Sequence, residues 1–436
     1  MARLHPFRGI RYNMQAVGDI ASVTCPPYDV ISQAEAVQLQ ARSPFNAVQI
    51  DLPRYSATGD KQYHEAAIKF RSWLKANILQ VEPAPSLYAY RQTYRVPYSG
   101  EYRQLFGLVG ALELTPLSER KVLPHEHTFT KPKTDRLNLM RATQANLSPV
   151  YSFYSDPQQR IESAWHKYLH STPVVSVTDS DGNLHELWPV TNANDIQVAV
   201  DVLFEVKVFI ADGHHRYATA LNYQQEMISA EGFQPEASWN TVMMMLVNLD
   251  NEGMTILPTH RVICGLPQLE ATTLFHALQA DFIISRATVS PNEINDQVQR
   301  LVPGTMALYL GDNCLWILKQ RNTQKLAQKL PVDKSPAWKG LDVAILHHLI
   351  LAKVMGISQE SIDSQETIRY TRDAAEACAI VDTKIGAVAF LLPAPRVADV
   401  RDVALAGDVM PQKTTYFYPK LLTGLVFSDL QRQIGK

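Results

Sequence analysis

The run Asp212-Gly213-His214-His215-Arg216 places an acid, a glycine, two imidazoles and a guanidinium in five consecutive positions. Each type has a use in anion chemistry. Arg216 offers a planar fork of donors that matches a phosphate or carboxylate. His214 and His215 can donate, accept or transfer a proton. Gly213 lets a backbone approach a ligand closely. Asp212 adds a carboxylate that can serve as a base or a cation ligand. A second polar stretch runs from Lys121 to Arg136, with His125, Glu126 and His127, the lysines Lys131 and Lys133, and the two prolines Pro124 and Pro132. A charged, solvated loop is the ordinary reading of such a stretch. The mixed signs and stiffening prolines favour a functional one, with His125 and Glu126 as acid/base groups and Lys133 and Arg136 as anion ligands. Smaller groupings are Tyr28-Asp29 beside a helix start, His260-Arg261 at a strand end, and Lys413 within Met410–Lys420.

The elements around the first run fit an anion site. Val208 to Ile210 is an apolar β-branched and aromatic run and reads as a buried strand. Tyr217, Ala220, Leu221, Gln224 and Ile228 follow at helical spacing, and Gly232 closes the run. Asp212–Arg216 therefore falls at a helix N-terminus, where unpaired amides and the helix dipole favour an anion. Elsewhere, Ser32 with Glu35 reads as a capping box opening a helix. Residues 47–52 alternate like a strand and 61–79 read as an amphipathic helix. A hairpin spans 87–114, and the chain stays loop-like to Pro132 before a helix from about Asp135. Residues 157–170 read as a helix, 173–188 as a hairpin, 241–257 as a strand turned back on itself, 267–302 as broken helices, and 342–354 as an apolar helix. The pattern predicts an α/β to α+β fold with mixed sheets and flanking helices, in three parts: 1–150, 151–265 and 266–436.

Composition narrows the function. The 436 residues are 46% hydrophobic and 19% charged, as in ordinary globular chains. A net charge of −2 gives no general nucleic-acid-binding surface. Four widely spaced cysteines have no paired metal spacing and fit reduced thiols in a cytoplasmic protein. The N-terminus has no signal-peptide core, and no apolar run reaches membrane-spanning length. No P-loop or dinucleotide fingerprint is present.

Several stretches resemble a bacterial and archaeal family of unknown function, number 1015. They are Pro27–Ile31, His125–Thr128, Lys133–Arg136, Ala211–Tyr217, Pro258–Arg261 and Met410–Lys420, in the family's order and over nearly the whole chain; His127 stands where the family pattern has arginine. Locally, Asp212–Arg216 is similar to the phosphate-binding box of the ParB/sulfiredoxin-like superfamily. That resemblance implies a nucleotide or phosphoryl site, and its members include kinases that phosphorylate free serine.

The expectation is a nucleotide-dependent phosphotransferase on a small metabolite such as serine. It would use ATP or ADP with Mg²⁺. Gly213, Arg216 and the helix N-terminus would hold phosphate, with Lys131, Lys133, Arg136 or Lys413 neutralising charge and His214, His215, Glu126 or Asp212 as base. Tyr28, Asp29, His260 and Arg261 complete the candidate set, and the polar clusters are expected to converge in one cleft. One alternative is a Zn²⁺ or Mn²⁺ hydrolase built on His125, His127, His214 and His215 with Asp212 and Glu126. Another is a non-catalytic regulator that binds nucleotide or nucleic acid.

Overall fold

The computed structural model describes residues 2–53, 59–126, 130–266, 271–364 and 366–435, with backbone alone at 130–132 and 363–364. The chain forms two compact units. The first comprises Met1–Val96, Glu101–Met254 and Pro419–Lys436; the second comprises Pro97–Gly100 and Thr255–Tyr418.

In the first unit, the described residues build a nine-stranded mixed sheet from β1 (Leu4–His5), β2 (Leu87–Arg95), β3 (Tyr102–Glu113), β4 (Val122–Leu123), β5 (Val150–Tyr154), β6 (Val175–Thr178), β7 (Leu184–Val190), β8 (Val208–Asp212) and β9 (Thr241–Asn248). The order is β4-β8-β5-β9-β3-β2-β7-β6, with β1 paired to β3. Two pairings are parallel, β8 with β4 and β9 with β5; the others are antiparallel. Segments 1–150 and 151–254 thus both supply strands to this sheet. Strand β9 is buried at every position, as a central strand covered on both faces must be. The expected hairpins at 87–114 and 173–190 are present.

Flanking helices are α1 (Gln33–Arg42), α2 (Val48–Asp51), α3 (Lys61–Lys75), α4 (Thr130–Thr143), α5 (Arg160–Trp165), α6 (Ala193–Glu205) and α7 (His214–Glu231). Helix α1 opens on the capping box of Ser32 and Glu35. The alternating stretch 47–52 is a single helical turn rather than a strand. Asn46 sets it up: its side chain accepts from the Val48 N–H at 3.0 Å and donates to the Ser22 and Thr24 carbonyls. Helix α4 starts at Thr130, so Pro132 sits in a helical first turn, where proline lacks only an N–H that would be unpaired anyway.

The second unit has a six-stranded sheet of its own, formed by β10 (His260–Cys264), β11 (Phe282–Thr288), β12 (Thr305–Tyr309), β13 (Cys314–Gln320), β14 (Ile368–Thr371) and β15 (Gly386–Leu391), in the order β11-β13-β12-β15-β10-β14. Residues 282–288, expected within helices, form an edge strand paired with β13. Thr255–Leu257, expected to fold back on 241–249, pairs instead with Tyr416–Tyr418. The apolar stretch 342–354 is one α-helical turn continued as a π-helix. Among the described residues no helix is long and apolar enough to cross a membrane.

One carboxyl in this unit gives a pH signature. Asp342 accepts from the Gly304 N–H and the Gln320 side chain at 3.0 Å, and burial pushes it up to about 7. Its folded value lies above the unfolded one. Its contribution is therefore complete below the ordinary carboxyl range and lost as pH rises through 7. Urea unfolding of the parent and of Asp342→Asn at pH 5 and pH 8 should show the variant gaining relative stability, by about 1–3 kcal/mol at the higher pH. A difference that does not change with pH would contradict this.

Candidate functional site

Strand β8 ends at Asp212, and Gly213 takes a left-handed conformation (φ 90°, ψ 27°) that turns the chain into α7. Among the described residues no side chain caps Gly213 at the start of this helix. Gly213 is required sterically as well. A Cβ there would lie 2.8–2.9 Å from the Nε, Cζ and Nη2 atoms of Arg216, whose guanidinium packs across the glycine. Gly213→Ala should lose about 1–3 kcal/mol of stability from the left-handed backbone alone, and should dislodge the guanidinium. Urea unfolding together with anion titration checks both, and a variant indistinguishable from the parent would remove the steric argument.

Arg216 is buried. It donates from Nη1 to the Pro149 carbonyl and to Ser148 Oγ, while its Nε is buried with no hydrogen-bond partner among the described residues. Nη2 lies 3.9 Å from Asp212. Asp212 is held mainly by Lys420, whose Nζ donates at 2.9 Å; its other oxygen accepts from the Gly213 N–H at 2.8 Å. Burial would raise the Asp212 pKa, but Lys420 and Arg216 together hold this carboxyl well below the usual range. It is an anion at any physiological pH and a poor base.

The two histidines of this corner are assigned by their bonds. His125 Nδ1 meets the Ile210 carbonyl at 2.8 Å, so Nδ1 carries the proton. The backbone N–H of His125 donates to Nε2 of His214 at 3.3 Å, which leaves the His214 proton on Nδ1. That nitrogen faces Glu126 Oε2 at 3.9 Å. Burial lowers both pKa values, that of His125 to about 4. Both rings are neutral, packed edge to face with centroids 4.7 Å apart. His215 is half-buried in the first turn of α7, and Glu126 is also half-buried.

Arg136 comes from α4 and is fully engaged. It donates to the Asp51 carbonyl at 2.7 Å and carboxylate at 3.3 Å, and to Asp135 from Nε (2.8 Å) and Nη2 (2.6 Å). Its Cζ lies 4.0 Å over the ring of Tyr28, whose hydroxyl burial pushes up to about 12. Arg136 and Arg216 line one cavity of about 40 Å³ with Asp51, Asn146 and Ser148 against Val242. By volume it would hold about three waters or a small acidic group. The first two polar clusters therefore do meet. Asp51 joins them unforeseen, since one Asp in an apolar run carries no signal. Lys420 lies in the Met410–Lys420 stretch read as anion-binding, but its partner there is Asp212, 208 residues away.

Asp29 and Lys133 are not among the residues lining this cavity. Asp29 is exposed. Lys133 is half-buried, and its carbonyl accepts from Thr219 at 3.4 Å. His127 and the Lys131 side chain fall outside the described residues. His260, Arg261 and Lys413 belong to the second unit. There His260 Nδ1 accepts from the Leu392 N–H, and buried Arg261 donates to the carbonyls of Thr259, Gln412 and Lys413. Desolvation lowers the Arg261 pKa to about 10. Lys413 itself is exposed with a left-handed backbone (φ 53°).

A buried network braces Lys420. Asp179 accepts from His185 Nε2 at 3.0 Å; His185 Nδ1 then accepts from the Tyr90 hydroxyl at 2.6 Å and from Gln92 Nε2 at 3.3 Å. Gln92 Nε2 also donates to the Lys420 carbonyl at 3.0 Å.

The family model described as a protein of unknown function, DUF1015, matches residues 4–344. The chain belongs to this family. No curated protein matches it. Among solved structures, it is similar to a conserved hypothetical protein from Pyrococcus furiosus, at 14% identity over 68% of this chain and 87% of that one, with a TM-score of 0.31. It is also similar to a free serine kinase in complex with AMP (13% identity, 71% and 88% coverage, TM-score 0.33). A third is SbnI with C-terminal truncation from Staphylococcus aureus (11%, 72% and 85%, 0.33). Likeness at this level leaves the chemistry of the site to its own geometry.

Proposed function

We propose that this chain is a phosphate-handling enzyme, a nucleotide-dependent phosphotransferase acting on the hydroxyl of a small metabolite such as serine. The phosphate would sit at the N-terminus of α7. The observation that supports this most is Arg216: a buried guanidinium laid across Gly213 at the start of an eighteen-residue helix, with neither a partner for its Nε nor a side-chain cap for the helix among the described residues. Amides and guanidinium together form a charge-assisted seat for phosphate oxygens.

In the step itself, the hydroxyl oxygen forms a bond to the terminal phosphorus of the nucleotide. The bond from phosphorus to the bridging oxygen breaks, and the hydroxyl proton goes to a base. His214 is unsuited to that role because its Nε2 already accepts from the His125 amide. Asp212 is unsuited because its cations depress its proton affinity and leave it a weak base. Glu126 fits: its carboxylate faces the Nδ1–H of His214, which would orient it. Asp212 and Glu126 would also be the oxygen donors for Mg²⁺, which needs only one or two carboxylates beside nucleotide phosphates and would supply charge neutralisation. A Zn²⁺ or Mn²⁺ hydrolase is less well supported, since both ring nitrogens of His214 already face protein partners.

Thermal shift with ATP, ADP and inorganic phosphate, with and without Mg²⁺, followed by phosphorus NMR of reactions with serine, tests the proposal. A nucleotide should raise the melting temperature. Glu126→Gln should keep that rise and lose about 10²–10⁴-fold in turnover. No response to nucleotide or phosphate would sink the proposal; binding without turnover of any small hydroxyl compound would turn it into a regulator.

A further inference from the structure

Two histidines that play no part in the candidate site stand at a metal's bite distance. Helix α5 continues through His166 (φ −50°, ψ −37°) and Lys167 (φ −57°, ψ −32°), both helical, into a 3-10 turn at Tyr168–His170. This unbroken right-handed path brings His166 and His170, four residues apart, to the same face. Both are exposed. Their ring centroids are 4.5 Å apart and their Nε2 atoms 3.3 Å apart.

Without a metal, that approach needs one Nε2 to carry a proton and the other to accept it. A metal ion can take the proton's place. With bonds of about 2.0–2.1 Å to imidazole nitrogen and tetrahedral angles, Zn²⁺ sets its donors about 3.3 Å apart. The separation found here is 3.3 Å. We propose that His166 and His170 form a surface site for a divalent transition ion with an affinity for imidazole, Zn²⁺ first among them, with water in the remaining positions. A histidine pair at i and i+4 is also how helical zinc sites present two ligands from one face.

The surroundings hold this pair in place. Trp165, the residue before His166, is fully buried and donates from Nε1 to the Asp195 carbonyl at 3.0 Å. Lys167, between the two histidines, is paired with the Asp195 carboxylate at 2.7 Å. The Tyr168 hydroxyl donates to the same carboxylate at 2.6 Å. The helix end is pinned, and the one neighbouring ammonium is neutralised. Among the described residues no group of three or more histidine, cysteine or acidic side chains is placed to share an ion. The site is therefore two-coordinate in protein ligands and freely exchanging.

Calorimetric titration of Zn²⁺ into tag-free, chelator-stripped full-length protein tests this. Comparison is with His166→Ala, His170→Ala and the double variant, all of which should melt as the parent does because both rings are exposed. One equivalent should bind at pH 7.5, and each single variant should lose at least tenfold in affinity. A Cu²⁺ titration should report nitrogen ligands by electron paramagnetic resonance in the parent alone. An isotherm unchanged in the double variant, or no binding by the parent, would overturn the proposal.

Discussion

Replacing Arg136 by methionine is expected to destabilise the protein by about 3–5 kcal/mol, the cost of leaving a buried carboxylate without its partner. Arg136 and Asp51 are 6% and 3% exposed, so water can repay little of what the substitution removes. Three interactions are lost at once: the bonds to Asp51, those to Asp135 and the stacking over Tyr28. What remains near Asp51 is the Thr423 hydroxyl at 3.4 Å and the charge of Arg216. The result should depend on pH in a set direction. Burial already pushes the Asp51 carboxyl up, with Arg136 and Arg216 pulling it down. Without Arg136 the folded value rises further above the unfolded one. The variant then recovers stability as pH falls and loses it as pH rises. Urea midpoints at pH 5 and pH 8 check the sign. Adding Asp51→Asn to Arg136→Met should return about 2 kcal/mol through the coupling of two contacting groups. A loss under about 1 kcal/mol for Arg136→Met alone would show that the pair is not a buried unit.

Arg216→Ala is expected to leave a folded protein that binds nucleotide or phosphate about 10- to 100-fold more weakly, the usual worth of a hydrogen bond to a charged group. The fold should tolerate the change better than the loss of Arg136, because Arg216 satisfies only the Pro149 carbonyl and Ser148. A loss of about 1–2 kcal/mol in unfolding free energy covers those contacts. Arg216→Lys separates charge from shape. A lysine keeps the positive charge but cannot present two parallel donors or lie flat across Gly213, so it should recover only part of the affinity. Thermal shift and calorimetry with ATP and with inorganic phosphate give the numbers. Undiminished binding in Arg216→Ala, with melting close to the parent, would move the phosphate seat away from α7.

Local signals in the sequence were the readable ones. The capping box of Ser32 and Glu35 and the strand–glycine–helix passage through Gly213 depend on residues a few positions apart, and each is present as expected. Local ambiguity produced the misreadings. Val48–Asp51 alternates, but four residues cannot distinguish one helical turn from a short strand, and the Asn46 cap that decides it bonds to carbonyls 22 and 24 residues earlier. Pro132 read as a helix breaker although it sits in a first turn. The candidate site was legible where its residues cluster in sequence, as at Asp212–Arg216. Asp51 was invisible because what gives it meaning is a partner 85 residues away, and Lys420, though within the Met410–Lys420 stretch, could not be assigned its partner Asp212, 208 residues away. The helix read over 157–170 already puts His166 and His170 one turn apart, but the 3.3 Å approach of their Nε2 atoms depends on side-chain rotamers that spacing does not fix.

The path of the chain has a consequence for how the site is made. The first unit is interrupted after Met254 and resumes only at Pro419. Lys420, which neutralises Asp212, and Ser428–Asp429, which pair with Ala145–Asn146 at the cavity wall, all lie in that returning segment. On the ribosome, residues 1–254 emerge with Asp212 facing Arg216 but without the Lys420 ammonium. The last pieces arrive only after the whole second unit has been synthesised. Completion of the Asp212–Lys420 pair thus requires translation past residue 420, and a nascent or clipped chain that stops earlier carries Asp212–Arg216 without that ion pair.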